Sequence, residues 1–313
     1  MLKPIITTEP IEFKEKFIER YSKLTDFEEF KKYSLAYLRR SVRINTLKIS
    51  IEKAKKRLER SWILEQVPWC KEGFWISHNE GRRDIGNTLE HSLGYIYVQE
   101  AASMIPPVVL EPKPGETILD MCASPGSKTT QIAQMMENKG ILIANDYQGI
   151  RLAQLGINIQ RCGITNTILT LMEGRFFKNF QFDRILVDAP CSGTGTIRKS
   201  LKTIRIWNPH MITKLAGEQK RLLDNAFTNL KPGGTMVYST CSVEPEENEG
   251  VIDFLLNKYS DAKLENIEMN IKRTSPITEF GGKTYNKEVK KCLRLWPQDN
   301  DTEGFFVAKI KKD

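Results

Sequence analysis

Two cysteines in this sequence of 313 residues follow short apolar runs, in places where a thiol could do chemistry. Cys191 lies in the segment VDAPCSGTG (187–195), and Cys241 lies in YSTCSVEPEEN (238–248). A thiolate is a nucleophile, so two thiols at the ends of two strands would suit covalent catalysis. The alternative is structural, because Pro-Cys-Ser-Gly is typical of turns and cysteine is among the most frequently buried residues.

The other cysteines and the histidines give no sign of a metal site. Four further cysteines are present, and they are Cys70, Cys122, Cys162 and Cys292. No CxxC pair occurs, and the histidines are His78, His91 and His210. Because a zinc site usually needs close pairs of ligands, we expect no metal. We interpret these thiols as small buried groups, and we expect no disulfide in a cytosolic chain.

Strand-like apolar runs alternate with helical segments from Pro112 onwards. The strands are predicted at 117–121, 141–146, 167–172, 183–188, 234–240 and 304–310. The helices are predicted near 127–137, 149–162, 210–230 and 246–259. This alternation predicts an α/β fold with a parallel, doubly wound sheet, in which ligands bind at the carboxyl ends of the strands.

The first five of these strands all end in polar or nucleophilic residues. In chain order the ends carry Asp120 with Cys122, then Asp146, Glu173, Asp188 with Cys191, and Cys241. One acid at a strand end is unremarkable. Five successive ends that carry Asp, Glu or Cys indicate a site, because the carboxyl ends of parallel strands share one edge of the sheet.

The segment DMCASPGSKT (120–129) is a predicted strand, turn and helix, but it matches neither a Walker A loop nor GxGxxG. Its small residues would let the backbone approach a ligand at a helix N-terminus. Asp146 follows Gly126 by 20 residues, where an acid can accept hydrogen bonds from ribose hydroxyls, and a helix N-cap is the alternative. An adenosine-containing ligand fits, and both NAD and S-adenosylmethionine qualify.

The two cysteines favour S-adenosylmethionine over NAD. Hydride transfer has no use for a pair of thiols, whereas methyl transfer to carbon 5 of a pyrimidine does. Carbon 5 is too weak a nucleophile to take a methyl group unaided, and a thiolate that adds to carbon 6 increases its electron density. Covalent catalysis of this kind divides one hard step into easier ones, and a second group can assist release of the thiolate.

The N-terminal part of the chain is strongly basic. The whole chain has a net charge of +8, and residues 31–60 contain eleven Lys or Arg against two Glu. We predict two helices within residues 10–38, with a capping box from Thr25 to Glu28. These helices are followed by a predicted strand at 41–47, which has Ser41, Arg43 and Asn45 on one side. A basic helix is predicted after it, at 51–60. Together they indicate an α+β module of about 90 residues.

A clustered positive charge favours a polyanion partner, nucleic acid first, although a solvated helix face is the alternative. The candidate RNA-binding residues are Arg39, Arg40, Arg43, Asn45, Lys55, Lys56, Arg57, Arg198 and Lys199. No run reaches the roughly 18 apolar residues of a membrane helix, and charges interrupt every apolar stretch near the N-terminus. We therefore expect a cytoplasmic protein that acts as a monomer.

The sequence closely resembles the RNA (cytosine-5) methyltransferases of the Sun/NOL/NOP family, and the tRNA enzymes of the archaeal type in particular. The resemblance rests on SVRINTLK (41–48), GYIYVQEAAS (94–103), DMCASPGSKT, DAPCSGTG, PGGTMVYSTCSVEPEENE (232–249) and GFFVA (304–308). It implies a Rossmann-like, S-adenosylmethionine-dependent methyltransferase domain at 95–313. A smaller basic α+β RNA-binding module would precede it at 1–94.

The resemblance also implies roles for individual residues. Cys241 would be the nucleophile, Cys191 would promote product release, and Asp188 would hydrogen-bond the cytosine. The implied cofactor contacts are Cys122, Ala123, Ser124, Pro125, Gly126, Ser127, Lys128, Asp146, Arg151, Glu173 and Asp188. This chain departs from the usual CAAPGGKT loop at Ser124 and Ser127, and it has Glu173 where Asp is common. DNA cytosine-5 methyltransferases use the Pro-Cys cysteine as nucleophile, and the cysteine of the TCS motif argues against that class.

The implied activity is transfer of a methyl group from S-adenosylmethionine to carbon 5 of a cytosine in RNA, through a covalent adduct between a cysteine and carbon 6. The short N-terminal module favours tRNA, with rRNA as the alternative substrate. A different class is a non-catalytic RNA-binding or assembly protein with a vestigial methyltransferase fold. The intact Asp188, Cys191 and Cys241 argue against that class.

Overall fold

A computed structural model describes residues 2–6 and 11–313 of the chain. Its N-terminal elements are α1 (Glu15–Ser22), α2 (Phe27–Ser34), β1 (Arg40–Ile44), α3 (Ile51–Leu58), β2 (Trp62–Gln66), β3 (Gly73–His78), α4 (Leu89–Ser92) and β4 (Ile96–Val98). The four strands form an antiparallel sheet in the order β2-β3-β1-β4. Because β4 pairs with β1, the N-terminal sheet extends beyond residue 94, where the sequence predicted a boundary.

One local prediction for the N-terminal part, the capping box from Thr25 to Glu28, is wrong. Asp26, and not Thr25, caps α2, since its carboxylate accepts a hydrogen bond from the Glu29 amide at 3.1 Å. The predicted polar side of β1 is not exposed, because Ser41, Arg43 and Asn45 are all at most 3% exposed. This side of the strand packs against the rest of the protein, so the alternation of polar and apolar residues did not mark a solvent-exposed face. Residue 10, the first of the predicted helical region, lies outside the described residues.

The remaining elements run from α5 to β14. They are α5 (Ile105–Leu110), β5 (Thr117–Asp120), α6 (Ser127–Met135), β6 (Ile141–Asp146), α7 (Gly149–Cys162), β7 (Thr167–Leu171), β8 (Phe182–Asp188), α8 (Lys202–Ile206), α9 (Pro209–Thr228), β9 (Leu230–Thr240), α10 (Glu249–Lys258), β10 (Ala262–Glu265), β11 (Glu279–Phe280), β12 (Lys283–Thr284), β13 (Leu293–Leu295), α11 (Pro297–Asn300) and β14 (Phe305–Lys312).

The large sheet has the order β10-β14-β9-β8-β5-β6-β7, with β13 also paired to β14. The five strands from β9 to β7 are parallel, which confirms the predicted Rossmann-like α/β fold. The last strand, β14, is antiparallel to β9 and makes the sheet mixed. The chain leaves β5 towards β6 and β7, and later returns to the other side of β5 with β8. This reversal of strand order next to β5 is where α/β sheets bind ligands.

The N-terminal elements pack directly on the large sheet and share its core. Trp69 and Tyr97 belong to one buried apolar cluster with Ile118, Leu142 and Leu186. The aromatic side chains of α1 and α2 form a second cluster with Trp207 and Trp296. Among the described residues, no helix combines the length and apolar character needed to cross a membrane.

Candidate active site

The two thiols meet at the carboxyl edge of the large sheet. Strands β8 and β9 are parallel neighbours, and Asp188 at the end of β8 is in register with Ser239 of β9. The loops that follow bring the Sγ atoms of Cys191 and Cys241 to 3.3 Å, which is within hydrogen-bond distance for sulfur. The chain therefore places its Pro-Cys and Thr-Cys motifs in a single centre, although 50 residues separate them.

Glycines allow the loops around this centre to approach closely. The Gly195 amide donates to the Cys241 carbonyl at 2.9 Å, and the Gly304 amide donates to the Gly195 carbonyl at 2.9 Å. A Cβ atom on Gly195 would lie 2.2 Å from the Gly304 oxygen, so no other residue fits there without a backbone shift. The start of β14 is thus fixed against both cysteine loops.

Asp188 forms an ion pair beside the thiols. Its Oδ2 lies 2.7 Å from Lys128 Nζ, and its Oδ1 accepts a hydrogen bond from Ser239 Oγ at 2.7 Å. The Lys128 ammonium also donates to Ser103 Oγ at 3.0 Å. Burial alone would lower the pKa of Lys128, but Asp188 outweighs burial, and the pKa is raised. Lys128 therefore stays charged and compensates the Asp188 carboxylate.

The local environment distinguishes the two thiols. Contact with the Cys241 sulfur, followed by burial, raises the pKa of Cys191 well above that of a free thiol. Negative charge on Cys241 and on the buried Glu247 adds to this effect. Cys191 is therefore a protonated S–H group at neutral pH and can donate to its neighbour.

Glu247 is a functional candidate that was missed in the sequence. Its Oε2 accepts hydrogen bonds from the Ser192 amide and from Gln219 Nε2, both at 2.9 Å, and its Oε1 accepts from Ser242 Oγ at 3.2 Å. Ser192 and Ser242 each follow one of the two cysteines directly. The residue lies in the EPEEN segment, so its motif was visible, but its contacts depend on the approach of β8 and β9.

A cavity of roughly 350 Å³ opens at the carboxyl ends of β5, β6 and β7. Four of the predicted cofactor residues line it, and these are Cys122, Asp146, Arg151 and Glu173. Further lining comes from Met121, Leu222 and Glu218. The remaining cofactor residues, 123–128 and Asp188, are not part of this lining. Residues 123–126 form the turn beside it, and Ser127 and Lys128 begin α6.

The carboxylate of Asp146 is buried and shapes the turn after β5. Its two oxygens accept hydrogen bonds from the Ser124 and Gln148 amides at 3.3 and 3.1 Å, and Arg151 lies 3.6 Å away. Arg151 also donates to the Ser124 carbonyl at 2.9 Å. Gly126 has a φ of 106°, and a Cβ there would lie 2.8 Å from Leu155 Cδ1. A larger residue at 126 would therefore be strained by its backbone conformation and would also have to displace the Leu155 side chain in the middle of α7.

Three predicted RNA-binding residues are not at the surface, and the prediction is corrected for them. Arg43 donates to the side chains of Gln99, Gln134 and Thr130. Asn45 donates to the Gly94 and Cys162 carbonyls. Arg198 donates to backbone carbonyls and pairs with Asp301 at 2.7 Å. Each is at most 5% exposed, so none can contact a phosphate.

The other predicted RNA-binding residues reach solvent, at least in part. They are Arg39, Arg40, Lys55, Lys56, Arg57 and Lys199. Arg57 pairs with Glu90 at 3.0 Å, and Lys55 lies 3.9 Å from Glu59. In the part of the chain that the structure describes, no group of three or more His, Cys, Asp or Glu side chains is placed to hold a metal ion.

Family comparisons match nearly the whole chain. Residues 107–311 match the family described as 16S rRNA methyltransferase RsmB/F, and residues 13–101 match the N-terminal domain of 16S rRNA methyltransferase RsmF. The two matches divide the chain at residues 102–106, after β4.

Two named relatives act on different RNAs. The chain is 51% identical over 300 residues to the tRNA (cytosine(49)-C(5))-methyltransferase of Pyrococcus abyssi. The aligned region covers 95% of this chain and 96% of that protein. It is also 45% identical over 285 residues to the ribosomal RNA small subunit methyltransferase F of Vibrio atlanticus. The aligned region covers 88% of this chain. The chain spans 58% of the length of that bacterial relative.

Two solved structures share the fold over nearly the full chain. A methyltransferase homolog protein from Pyrococcus horikoshii superposes with a TM-score of 0.80 at 40% identity, covering 91% of this chain and 90% of that one. NSun6 from Pyrococcus horikoshii with SFG gives a TM-score of 0.83 at 26% identity, covering 96% and 99%.

Proposed function

The chain belongs to the 16S rRNA methyltransferase RsmB/F family, and from this premise we propose that it methylates carbon 5 of a cytosine in tRNA through a covalent enzyme–RNA adduct. The family and the named relatives are S-adenosylmethionine-dependent RNA cytosine-5 methyltransferases, which confirms the predicted class of enzyme. The choice of tRNA and the covalent route are our proposals. The contact between the Cys191 and Cys241 sulfurs at the carboxyl edge of the sheet is the observation that carries the covalent route.

The cavity beside Cys122 fits S-adenosylmethionine. That cofactor carries an amino group, ribose hydroxyls and a sulfonium centre, all of which are favoured by nearby carboxylate oxygens. The cavity provides the carboxylates of Asp146, Glu173 and Glu218, with apolar contacts from Met121 and Leu222. Its volume of about 350 Å³ lies in the range of small-molecule sites. When bound there, the cofactor supplies the methyl group.

Cys241 is the proposed nucleophile. The raised pKa of Cys191 keeps that thiol protonated, so its S–H can donate to a Cys241 thiolate and stabilise it. Attack forms a bond between Cys241 Sγ and carbon 6 of the cytosine, and carbon 5 takes the methyl group. Solvent water then takes the proton from carbon 5, and the electron pair of that C–H bond re-forms the double bond between carbons 5 and 6. The sulfur leaves carbon 6 with its bonding pair as the Cys241 thiolate, to which the Cys191 S–H donates.

Asp188 is placed to hold the cytosine. Its carboxylate is paired with Lys128 and Ser239, but a carboxylate has about four lone-pair sites and can accept further hydrogen bonds. The exocyclic amino group of cytosine is a donor that matches this capacity. We propose that the Asp188 carboxylate accepts from that amino group while its ion pair with Lys128 holds the carboxylate in place.

The covalent route is tested with two cysteine variants and an unmodified tRNA transcript. Cys241→Ala should abolish both methyl transfer and any adduct, because nothing then adds to carbon 6. Cys191→Ala should methylate once and release slowly, so that a protein–RNA adduct survives denaturing electrophoresis. Cys162→Ala removes a buried thiol at the end of α7 and serves as the control.

Two outcomes would overturn this assignment. An adduct in Cys241→Ala with none in Cys191→Ala would make the Pro-Cys residue the nucleophile. Full turnover in both variants would make the thiols structural.

The choice of RNA is tested separately, by offering tRNA and small-subunit rRNA together and mapping methylcytosine in each by bisulfite sequencing. The tRNA proposal requires the mark in tRNA alone, and a mark confined to rRNA refutes it.

A further inference from the structure

A second cavity lies between the N-terminal sheet and the segment that leads into it. It has a volume of roughly 610 Å³, and we call it the arginine groove. Its principal lining residues are Tyr37, Arg39, Arg40, Trp75, Arg83 and Asp301. None of the residues that line the cavity beside Cys122 takes part in it, so the two are separate features of the surface.

The groove holds positive charge that the protein does not neutralise. Arg82 pairs with Asp84 at 2.6 Å, and Arg39 lies within 3.3 Å of both Glu65 and Asp301. By contrast, among residues 2–6 and 11–313 no carboxylate forms an ion pair with Arg40 or Arg83, and Asp84, which is paired with Arg82, attracts Arg40 only from a distance. Burial and the neighbouring charge of Arg83 lower the pKa of Arg40. Two guanidinium groups that repel each other in one groove would be stabilised by an anion.

Aromatic rings flank these cations. The Arg83 guanidinium carbon lies 4.4 Å from the centre of the Tyr37 ring, and that of Arg39 lies 3.7 Å from the centre of the Trp75 ring. These contacts restrain the two guanidinium groups at the groove wall. Arginines held beside aromatic rings suit single-stranded nucleic acid, since arginines pair with phosphates and a partly exposed ring such as Tyr37 can stack on a base. Trp75 is buried, so its part is to hold Arg39.

The groove is physically connected to the catalytic loop. Arg198 lies seven residues after Cys191, and its guanidinium donates to the carbonyls of Ala36 and Tyr37 at 3.1 and 2.9 Å. The same guanidinium pairs at 2.7 Å with Asp301, which also lines the groove. This buried arginine therefore connects the groove to the chain segment that follows the Pro-Cys motif.

We propose that the arginine groove binds an unpaired stretch of the RNA substrate, with the backbone phosphates between Arg40 and Arg83. This inference rests on the proposed function, because it takes RNA as the substrate of the active centre. It adds a site that anchors the RNA away from the target base. Such an anchor would hold the strand after the cytosine has left its stack and entered the active centre.

The test measures binding of an unmodified tRNA transcript between 50 and 300 mM KCl for three double variants. Arg40→Ala with Arg83→Ala should weaken binding at least about fivefold at low salt. It should also reduce the slope of log affinity against log salt by about 1.4, which is two single-strand phosphate contacts. Arg40→Lys with Arg83→Lys keeps both charges and should restore most of the slope of log affinity against log salt. Lys113→Ala with Lys139→Ala removes two charges from the amino edge of the large sheet and should match the wild type.

The outcomes separate this proposal from the proposed function. Methylation by the wild-type protein tests the activity, whereas the salt slope of the double alanine variant tests the groove alone. An unchanged slope in a variant that still binds S-adenosylmethionine overturns the groove. An acidic peptide that binds the wild type but not the double variant, and that leaves RNA binding to the wild type unchanged, would assign the groove to a protein partner and overturn the proposal as well.

Discussion

At the residue scale, Glu247 explains how the loops that carry the two thiols are held together. Its carboxylate accepts hydrogen bonds from Ser192 and Ser242, which directly follow Cys191 and Cys241, and from Gln219 on α9. Glu247 is fully buried. A buried donor that loses its acceptor costs about 1–3 kcal/mol, so this carboxylate stabilises the arrangement of the thiols as well as the fold.

We expect Glu247→Ala and Glu247→Gln to differ clearly. The alanine variant leaves the buried Ser192 amide without an acceptor and removes one of the two acceptors of Gln219 Nε2, so it should lose about 1–3 kcal/mol of unfolding free energy. The glutamine variant can keep an oxygen towards Ser192 and Gln219, and should retain most of the stability. Urea unfolding checks this. If Glu247 positions the thiols, the alanine variant should also form and resolve the protein–RNA adduct more slowly than the wild type. The glutamine variant should then restore the wild-type rate. Equal turnover in both would leave Glu247 a purely structural residue.

Asp120, at the end of β5, makes the stability of the protein depend on pH. Burial raises its pKa to about 7, and only one of its oxygens has a partner, Thr129 Oγ1 at 2.7 Å. The unfolded chain loses this proton near pH 4, whereas the folded protein keeps it until about pH 7. Between these values the folded state binds more protons, so stability falls as pH rises, by up to about 1.4 kcal/mol per pH unit.

Asp120→Asn should remove this contribution. Its unfolding free energy, measured in urea from pH 4.5 to about pH 9, should decline less steeply with pH than that of the wild type up to about pH 7, because the amide does not titrate. The two profiles should run parallel above pH 8, where the carboxyl is ionised in both states. Parallel profiles throughout the lower range would show that Asp120 titrates normally in the folded protein.

At the element scale, the strands of the large sheet could be predicted because their apolar runs are short and bounded by turn residues. The strand at 141–146 and the helix at 149–162 agree with β6 and α7 at both ends. The strand ends then located the chemistry, since five ends meet at one edge. The direction of β14 could not be predicted in this way, because an apolar run does not show whether it pairs parallel or antiparallel.

Gly126 links the turn after β5 to α7, and its replacement tests that contact. Gly126→Ala requires a side chain at a φ of 106° and 2.8 Å from Leu155 Cδ1. We expect a loss of about 1–3 kcal/mol in unfolding free energy, measured by urea unfolding, and weaker cofactor binding, measured by calorimetry.

Gly217→Ala is the matched control, because this α9 glycine has no atom within 4 Å of the added Cβ. The same change there should stabilise by up to about 1 kcal/mol. Equal effects at both sites would refute a special requirement at 126.

At the scale of the whole molecule, the N-terminal sheet and the methyltransferase sheet share buried polar contacts as well as an apolar core. Arg43 on β1 donates to Gln99 at 2.8 Å, to Thr130 on α6 at 2.8 Å, and to Gln134 on the same helix. From sequence, Arg43, Asn45 and Arg198 look the same as surface arginines and amides. Only the docking of one sheet on the other buries them, which is why charge clustering identified the basic region but not its exposed members.

The two parts of the chain should therefore unfold as one unit, and Arg43 should matter for that unit rather than for RNA. Arg43→Ala leaves three buried acceptors without a donor and should lose about 3 kcal/mol or more of unfolding free energy. Its salt slope for RNA binding should equal that of the wild type, because a buried guanidinium contacts no phosphate. Arg40→Ala, three residues away on the same strand, should show the opposite pattern, with stability within about 0.5 kcal/mol of the wild type and a reduced salt slope for RNA binding.

Hydrogen exchange in urea provides the second measurement of whether the two sheets unfold together, since amides of β3 and of β8 should lose protection in a single transition. Separate transitions for the two strands in the wild type, or an Arg43→Ala protein as stable as Arg40→Ala, would show that the two sheets are independent domains joined only by the chain.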